Sequence, residues 1–124
     1  MDLLEVFQDS ADLVELSAGD ELFTEGESAE FMYVIVEGTL ELTLHGRKLA
    51  RSSSGAIIGE MALLGTYTRS ATATAVSDCR LAPIDVHSFK LLIQHTPDFA
   101  LHVMEVLANR LRMANEALAG FNNG

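Results

Sequence analysis

Ile58-Gly59-Glu60-Met61-Ala62-Leu63-Leu64-Gly65-Thr66-Tyr67-Thr68-Arg69-Ser70-Ala71-Thr72-Ala73 is the stretch on which the fold of this chain turns. A glycine and a carboxylate open it, an apolar helical turn follows, and an arginine, a hydroxyl and small residues close it. A carboxylate accepts hydrogen bonds from ribose hydroxyls, and an arginine fork holds a phosphate through two parallel N–H bonds. A short helix N-terminus and small side chains let backbone N–H groups approach the same anion. Together these parts describe a pocket for a sugar phosphate. Gly59 lets the backbone come close to a ligand. Ser70 offers a hydroxyl, and Ala71 a backbone N–H behind a low wall. Ile58, Leu63 and Leu64 read as packing residues, with Ile58 near enough to graze a base; Met61 and Ala62 complete the set of residues that could touch a ligand.

Outward from this stretch the pattern is one of short apolar runs divided by turn residues. Before it come Glu21–Thr24 between Gly19-Asp20 and Gly26, Phe31–Val36 stopping at Glu37-Gly38, and Thr39–Leu44 alternating with period two. His45-Gly46 is a tight hairpin turn from which Arg47–Ala50 returns, and Ser52–Gly55 reads as a loop. After it, Thr72–Val76 and Arg80–Ile84 are strands around a turn at Ser77-Asp78. Short strands at regular spacing imply a small sandwich or barrel. Helices flank the β region. Met1 to about residue 17 reads as helical on the apolar face Leu3, Leu4, Phe7, Ala11 and Val14, with Asp9-Ser10 interrupting it or capping a second turn. Asp85 caps a helix through about His95, and Thr96-Pro97 starts another. Its apolar positions are Phe99, Val103, Val106, Leu107, Leu111, Ala114 and Leu118; Gly120 ends it and residues 121–124 form a frayed tail.

Composition bounds the function. A chain of 124 residues, 48% hydrophobic, is one domain with a real core and no need of staples. No apolar run approaches a membrane span, and the N-terminus lacks the pattern of a signal peptide. The single cysteine, Cys79, cannot form an internal disulfide, which fits a reducing cytoplasm. The net charge of −10 has a location: residues 1–30 hold ten acids and no Lys or Arg, while residues 31–124 hold eight of each sign. An acidic front of this kind does not bind nucleic acid. It reads as a solvated face or as a docking surface for a basic partner. His45, His87, His95 and His102 lack metal-ligand spacing, and no nucleophile–base arrangement suggests catalysis.

Gly59-Glu60-Met61-Ala62-Leu63 followed by Arg69-Ser70-Ala71-Thr72 closely resembles the phosphate-binding cassette of cyclic nucleotide-binding domains. The glycines at 19, 26, 38, 55 and 59 sit where that family's β-roll turns, so the resemblance covers nearly the whole chain. It implies a mostly β fold with flanking helices. The expected core is an antiparallel β-roll of jelly-roll type at 18–84, with the cassette at 58–73. Around it come an N-terminal helix over about 1–17, a short cassette helix from Glu60 to Leu64, and two C-terminal helices over 85–120. It implies a 3′,5′-cyclic nucleotide ligand, cyclic AMP first and cyclic GMP as the alternative. Arg69 would grip the exocyclic phosphate oxygens and Glu60 the ribose 2′-hydroxyl, with Gly59, Ser70 and Ala71 beside them. A hydroxyl after the cassette arginine accompanies guanine in some members and adenine in others, so Ser70 leaves the base open. Lining up the last helix with that of the catabolite activators brings Ala114 and Asn115 to the adenine-contacting positions, and Asn115 offers a donor and an acceptor.

The implied function is a non-catalytic sensor whose ligand moves the C-terminal helix to act on a downstream protein. The last helix could pair a second copy or cover its own β-roll. No helix-turn-helix follows within the chain, so no nucleic-acid contact is expected, nor any membrane. The start at Met1 favours a stand-alone subunit over a fragment. A metal-dependent β-barrel enzyme would need clustered histidines that the β region lacks. A degenerate β-roll that binds no nucleotide and acts through protein contacts is the alternative.

Overall fold

The computed structural model describes residues 2–10 and 12–123. Two compact units emerge, Asp2–Phe89 and the residues from Lys90 onward. Among the described residues, the first unit begins with α1 (Leu3–Phe7), β1 (Val14–Leu16), β2 (Glu21–Phe23), β3 (Met32–Glu37), β4 (Thr39–Leu44), β5 (Arg47–Ser53) and β6 (Ile57–Ile58). A helical turn then widens into a π turn at Ala62–Thr66, and β7 (Thr72–Ala75) and β8 (Cys79–Ile84) complete the unit. α2 (Val86–His95) crosses the division, and α3 (Pro97–Asn123) belongs to the second unit.

The strands form two four-stranded antiparallel sheets, in the orders β1-β8-β3-β6 and β2-β7-β4-β5. Their inner faces meet in one apolar cluster. Tyr33, Ile35, Ile58 and Leu81 come from the first sheet, and Phe23, Leu40, Ala73 and Ala75 from the second. Alternation along each strand sends these residues inward. Met32–Ile35 is buried on both faces because α1 packs across β3, with Leu3 and Phe7 also buried. The mostly β fold with flanking helices is therefore as expected. His45 (φ 51°) and Gly46 (φ 78°) make the two-residue hairpin turn between β4 and β5. Asp85 Oδ1 accepts from Ser88 N at 2.7 Å, capping α2. Hydrogen bonding by the Ser88 backbone first, and then by its side chain, holds the Asp85 carboxyl below its ordinary pKa. No described helix is long and apolar enough to cross a membrane.

Four expectations need correction. The helix expected over about 1–17 ends at Phe7, and Val14–Leu16 is a strand. Ser10 N donates to Phe7 O in a closing turn, and Val14, Glu15 and Leu16 find partners on β8, so sheet pairing overrides the helical spacing. The cassette helix is not a plain α turn from Glu60 to Leu64: Tyr67 N donates to Ala62 O at 2.6 Å, a five-residue closure that inserts an extra residue. Ser52 and Ser53 extend β5 instead of forming a loop, because Leu40 and Thr39 on β4 pair with them. Gly120 does not end α3, which runs to Asn123; a glycine weakens a helix by about 1 kcal/mol relative to alanine but does not forbid it. Met1, Ala11, Gly124 and the side chains of Leu64 and Leu118 lie outside the described residues.

Candidate functional site

Two of the segments that carry the chain from one sheet to the other meet at this site. Residues 59–71 leave β6 in the first sheet and enter β7 in the second; residues 24–31 make the opposite passage from β2 to β3. The two crossings pair with each other. Ser28 and Thr68 form an antiparallel bridge, Gly26 N donates to Arg69 O at 2.9 Å, Arg69 N to Glu27 O at 2.8 Å, and Ala29 N to Tyr67 O at 2.8 Å. This backbone ladder fixes Arg69 at the root of its side chain.

The guanidinium turns inward and is only 5% exposed. Nη2 donates to Phe31 O at 2.6 Å and Nη1 to Gly59 O at 3.2 Å. Its Cζ lies 4.1 Å from the centre of the Phe23 ring and 5.9 Å from that of Tyr33. Nε is buried and has no hydrogen-bond partner among the described residues. Burial pushes the Arg69 pKa below its ordinary value, against the opposing pull of Tyr33 and Glu27. Burial likewise raises the Tyr33 phenol, with Arg69 acting the other way.

Gly59 explains how the guanidinium fits. Its φ is 81°, and a Cβ there would lie 2.6 Å from Arg69 Nη1 and 3.3 Å from Phe23 Cε2. Only glycine takes this conformation without strain and leaves that space open. Glu60 follows at the start of the helical turn and is 2% exposed, a second buried charged side chain one residue from the backbone carbonyl that Arg69 grips. Chemically, the region combines a buried cation with an uncommitted N–H, a buried carboxylate, and a glycine that admits close approach. Those are the elements needed to hold a phosphate and a hydroxyl.

The structure thus brings Gly59 and Arg69 together, with the buried Glu60 next to Gly59 in the chain. Ala71 and Ala62 are buried beside them in sequence, and Ser70 is exposed. Ile58 is a core residue paired with Tyr33 across β6 and β3. Met61 is exposed. Asn115 lies on α3, in the other unit, and is exposed. Sequence reasoning missed Phe23, the Phe31 carbonyl and the backbone of residues 26–29. An aromatic residue in a strand reads as core, and backbone carbonyls carry no sequence signal; only the Gly26-Glu27 turn marked that segment. Among the described residues, no group of three or more His, Cys, Asp or Glu is placed to hold a metal ion.

A family model for the cyclic nucleotide-binding domain matches residues 13–96, and the chain belongs to that family. A putative potassium channel protein of Rhodopseudomonas palustris is 35% identical over 100 residues, covering 77% of this chain and 24% of the channel protein. The catabolite activator protein of Thermus thermophilus superposes with a TM-score of 0.79 at 32% identity, covering 86% of this chain and 53% of the activator. The EAL enzyme Bd1971 has been solved in a cyclic AMP-bound and a cyclic GMP-bound form. Each matches with a TM-score of 0.61 at 28% identity, covering 85% and 82% of this chain and 30% and 28% of that protein. The chain therefore spans about a quarter to a half of the length of these relatives.

Proposed function

We propose that this member of the cyclic nucleotide-binding domain family is a non-catalytic sensor that binds a 3′,5′-cyclic nucleotide, cyclic AMP in preference to cyclic GMP. Gly59, Glu60, Arg69, Ser70 and Ala71 hold the ligand's phosphate and ribose. The observation that carries the reading is Arg69: a buried guanidinium, anchored by two backbone carbonyls, with an N–H left unanswered. A buried N–H without an acceptor leaves a hydrogen bond unmade in the fold, which points to a ligand that completes it. The bound forms of Bd1971 with either nucleotide support the ligand class and leave the base to experiment. The domain occurs in relatives as one part of longer proteins, and the output here is a movement of the C-terminal helix against an unidentified protein partner. A cytoplasmic location fits the single free, buried Cys79.

Titration of cyclic AMP and cyclic GMP by calorimetry tests this, with Arg69→Ala and Glu60→Ala alongside. Removing a charge-assisted bidentate phosphate contact is expected to weaken binding about thirtyfold or more. Folded protein, free of carried-over nucleotide, that gives neither heat nor thermal shift with either ligand overturns the proposal.

A homodimer through α3 has its own support. Phe99 and Val103 are buried and Val106 and Leu107 half-buried. Leu101, Met104 and Leu111 are exposed on a second face whose steps of three and four residues run through Ala108 to Asn115. Such a seam suits a partner helix. Equilibrium sedimentation of the wild type and of Leu111→Glu tests it: a monomeric wild type at high micromolar concentration removes the idea.

A further inference from the structure

We infer that Phe23 is a positioning residue for the nucleotide phosphate: its ring sets the plane in which the Arg69 guanidinium meets the ligand. This rests on the reading of Arg69 as the phosphate ligand. Phe23 is the last residue of β2, at an irregularity in the β2–β7 pairing where Glu21 faces Thr74 and Phe23 faces Ala73. Irregularities of this kind re-aim side chains. The ring is buried, and its centre lies 4.1 Å from Arg69 Cζ, close enough for the cation to rest on the negative face of the ring. The Tyr33 ring in turn stacks on Phe23 at 6.5 Å between centroids and 25° between planes, and this backs the ring from β3.

Three constraints then act on one flat group. Phe23 restrains motion of the guanidinium out of its plane, while Phe31 O and Gly59 O restrain rotation within it. Of five N–H bonds, two go to those carbonyls, and the buried Nε–H is among the remainder. An acceptor that arrives at this remaining edge meets a donor whose direction is already set, so less orientation is lost on binding. Gly59 belongs to the same arrangement, since its missing Cβ leaves room for both Nη1 and the edge of the ring. An aliphatic side chain at position 23 would fill the core but would offer the cation no ring face. The apolar pattern of β2 therefore accounts for a hydrophobic residue at this position, and the guanidinium accounts for an aromatic one.

The experiment is a double-mutant cycle read by cyclic AMP titration on the full chain: wild type, Phe23→Leu, Arg69→Ala, and the two combined, with Phe23→Tyr as the conservative variant and thermal melting of each. Phe23→Leu is expected to weaken cyclic AMP binding about fivefold. Phe23→Tyr should restore it, and Phe23→Leu should have no further effect once Arg69 is alanine. If Phe23→Leu melts too low to titrate, Phe23→Met fills the space with an unbranched side chain and takes its place in the cycle. A folded aliphatic variant that binds like wild type overturns the inference, and so does a loss that is equal with and without Arg69, since that marks a purely structural effect. A wild type that binds no cyclic nucleotide overturns the reading of Arg69 and this inference together, and is distinguished from the other failures by its silence.

Discussion

Arg51 and Arg69 sit on the same β-roll and are treated in opposite ways. Arg51 projects from β5, on the β4–β5 hairpin. There its Nε donates to Glu41 Oε2 at 3.0 Å, more than half of the side chain remains in water, and Lys48 Nζ approaches the same carboxylate oxygen at 3.9 Å. Arg69 lies where two sheet-to-sheet crossings meet; it is buried, is gripped by the carbonyls of Phe31 and Gly59, and keeps a bare Nε–H. The first arginine is solvated and replaceable. The second is a charge withdrawn from water, an arrangement that folding alone does not favour. The contrast teaches where to look for function in a small β fold: at the crossings, where the ladder of regular hydrogen bonds gives way to side chains and carbonyls aimed at one point.

The largest expected effect tests that contrast directly. Arg69→Ala is expected to weaken cyclic AMP binding about thirtyfold or more. Arg51→Ala, a surface change outside residues 24–31 and 59–71, should stay within about twofold. Calorimetry on both variants decides it, and comparable losses in the two would dissolve the distinction.

A second pair of residues sharpens it. Gly46 and Gly59 have nearly equal positive φ, 78° and 81°. An added Cβ meets nothing within 4 Å at Gly46, but at Gly59 it meets Arg69 Nη1 at 2.6 Å. Each alanine variant should therefore lose about 1–2 kcal/mol of stability to the left-handed backbone. Only Gly59→Ala should also lose binding, by about tenfold, through displacement of one charged hydrogen-bonding group. Urea denaturation and nucleotide titration of the two variants separate strain from function. Equal binding losses would mean that the space at Gly59 has no bearing on the ligand.

The same division marks what was legible in the sequence. The β4 strand and its turn into β5 were legible, because period-two alternation and a His-Gly turn are local signals, whereas the reach of β5 to Ser53 was not. The glycine, carboxylate and arginine of the cassette were legible as a spacing and as a family resemblance. Their surroundings were not. Phe23 and the Phe31 carbonyl reach Arg69 from β2 and the entry of β3 only because the two crossings pair, a long-range event with no local mark. The strand at Val14–Leu16 was hidden for the same reason: its apolar spacing suits a helix, and only β8 makes it a strand. The extra residue that turns the cassette helix into a π turn is likewise set by its closure on Tyr67, not by composition.

That closure gives a smaller test. Tyr67 and His45 are the non-glycine residues with positive φ among those described, at 57° and 51°. Histidine is among the residue types enriched in this conformation, whereas a bulky aromatic side chain is strained there. Tyr67 is exposed, so little packing offsets the strain. Tyr67→Asn is expected to raise stability by about 1 kcal/mol, and His45→Asn to change it by less than about 0.5 kcal/mol. Thermal and urea melts measure both. A destabilised Tyr67→Asn would mean that the tyrosine ring contributes to the turn despite its exposure.

A small effect belongs to the exposed pair Arg51 and Glu41. Coupling between Arg51 and Glu41, from a double-mutant cycle on folding stability, is expected at about 0.2–1 kcal/mol and should fade as salt is raised. An exposed guanidinium gains little from one carboxylate because water competes for both, and because a flexible side chain must be held still to make the bond. Arg69 has neither freedom: water is excluded and the side chain is already fixed by two carbonyls and a ring, so screening by salt reaches it weakly. Nucleotide affinity should therefore vary less steeply with ionic strength than the Arg51–Glu41 coupling does. If salt abolishes both alike, Arg69 meets its ligand in open water, and the closed geometry at the crossings is not the geometry that binds.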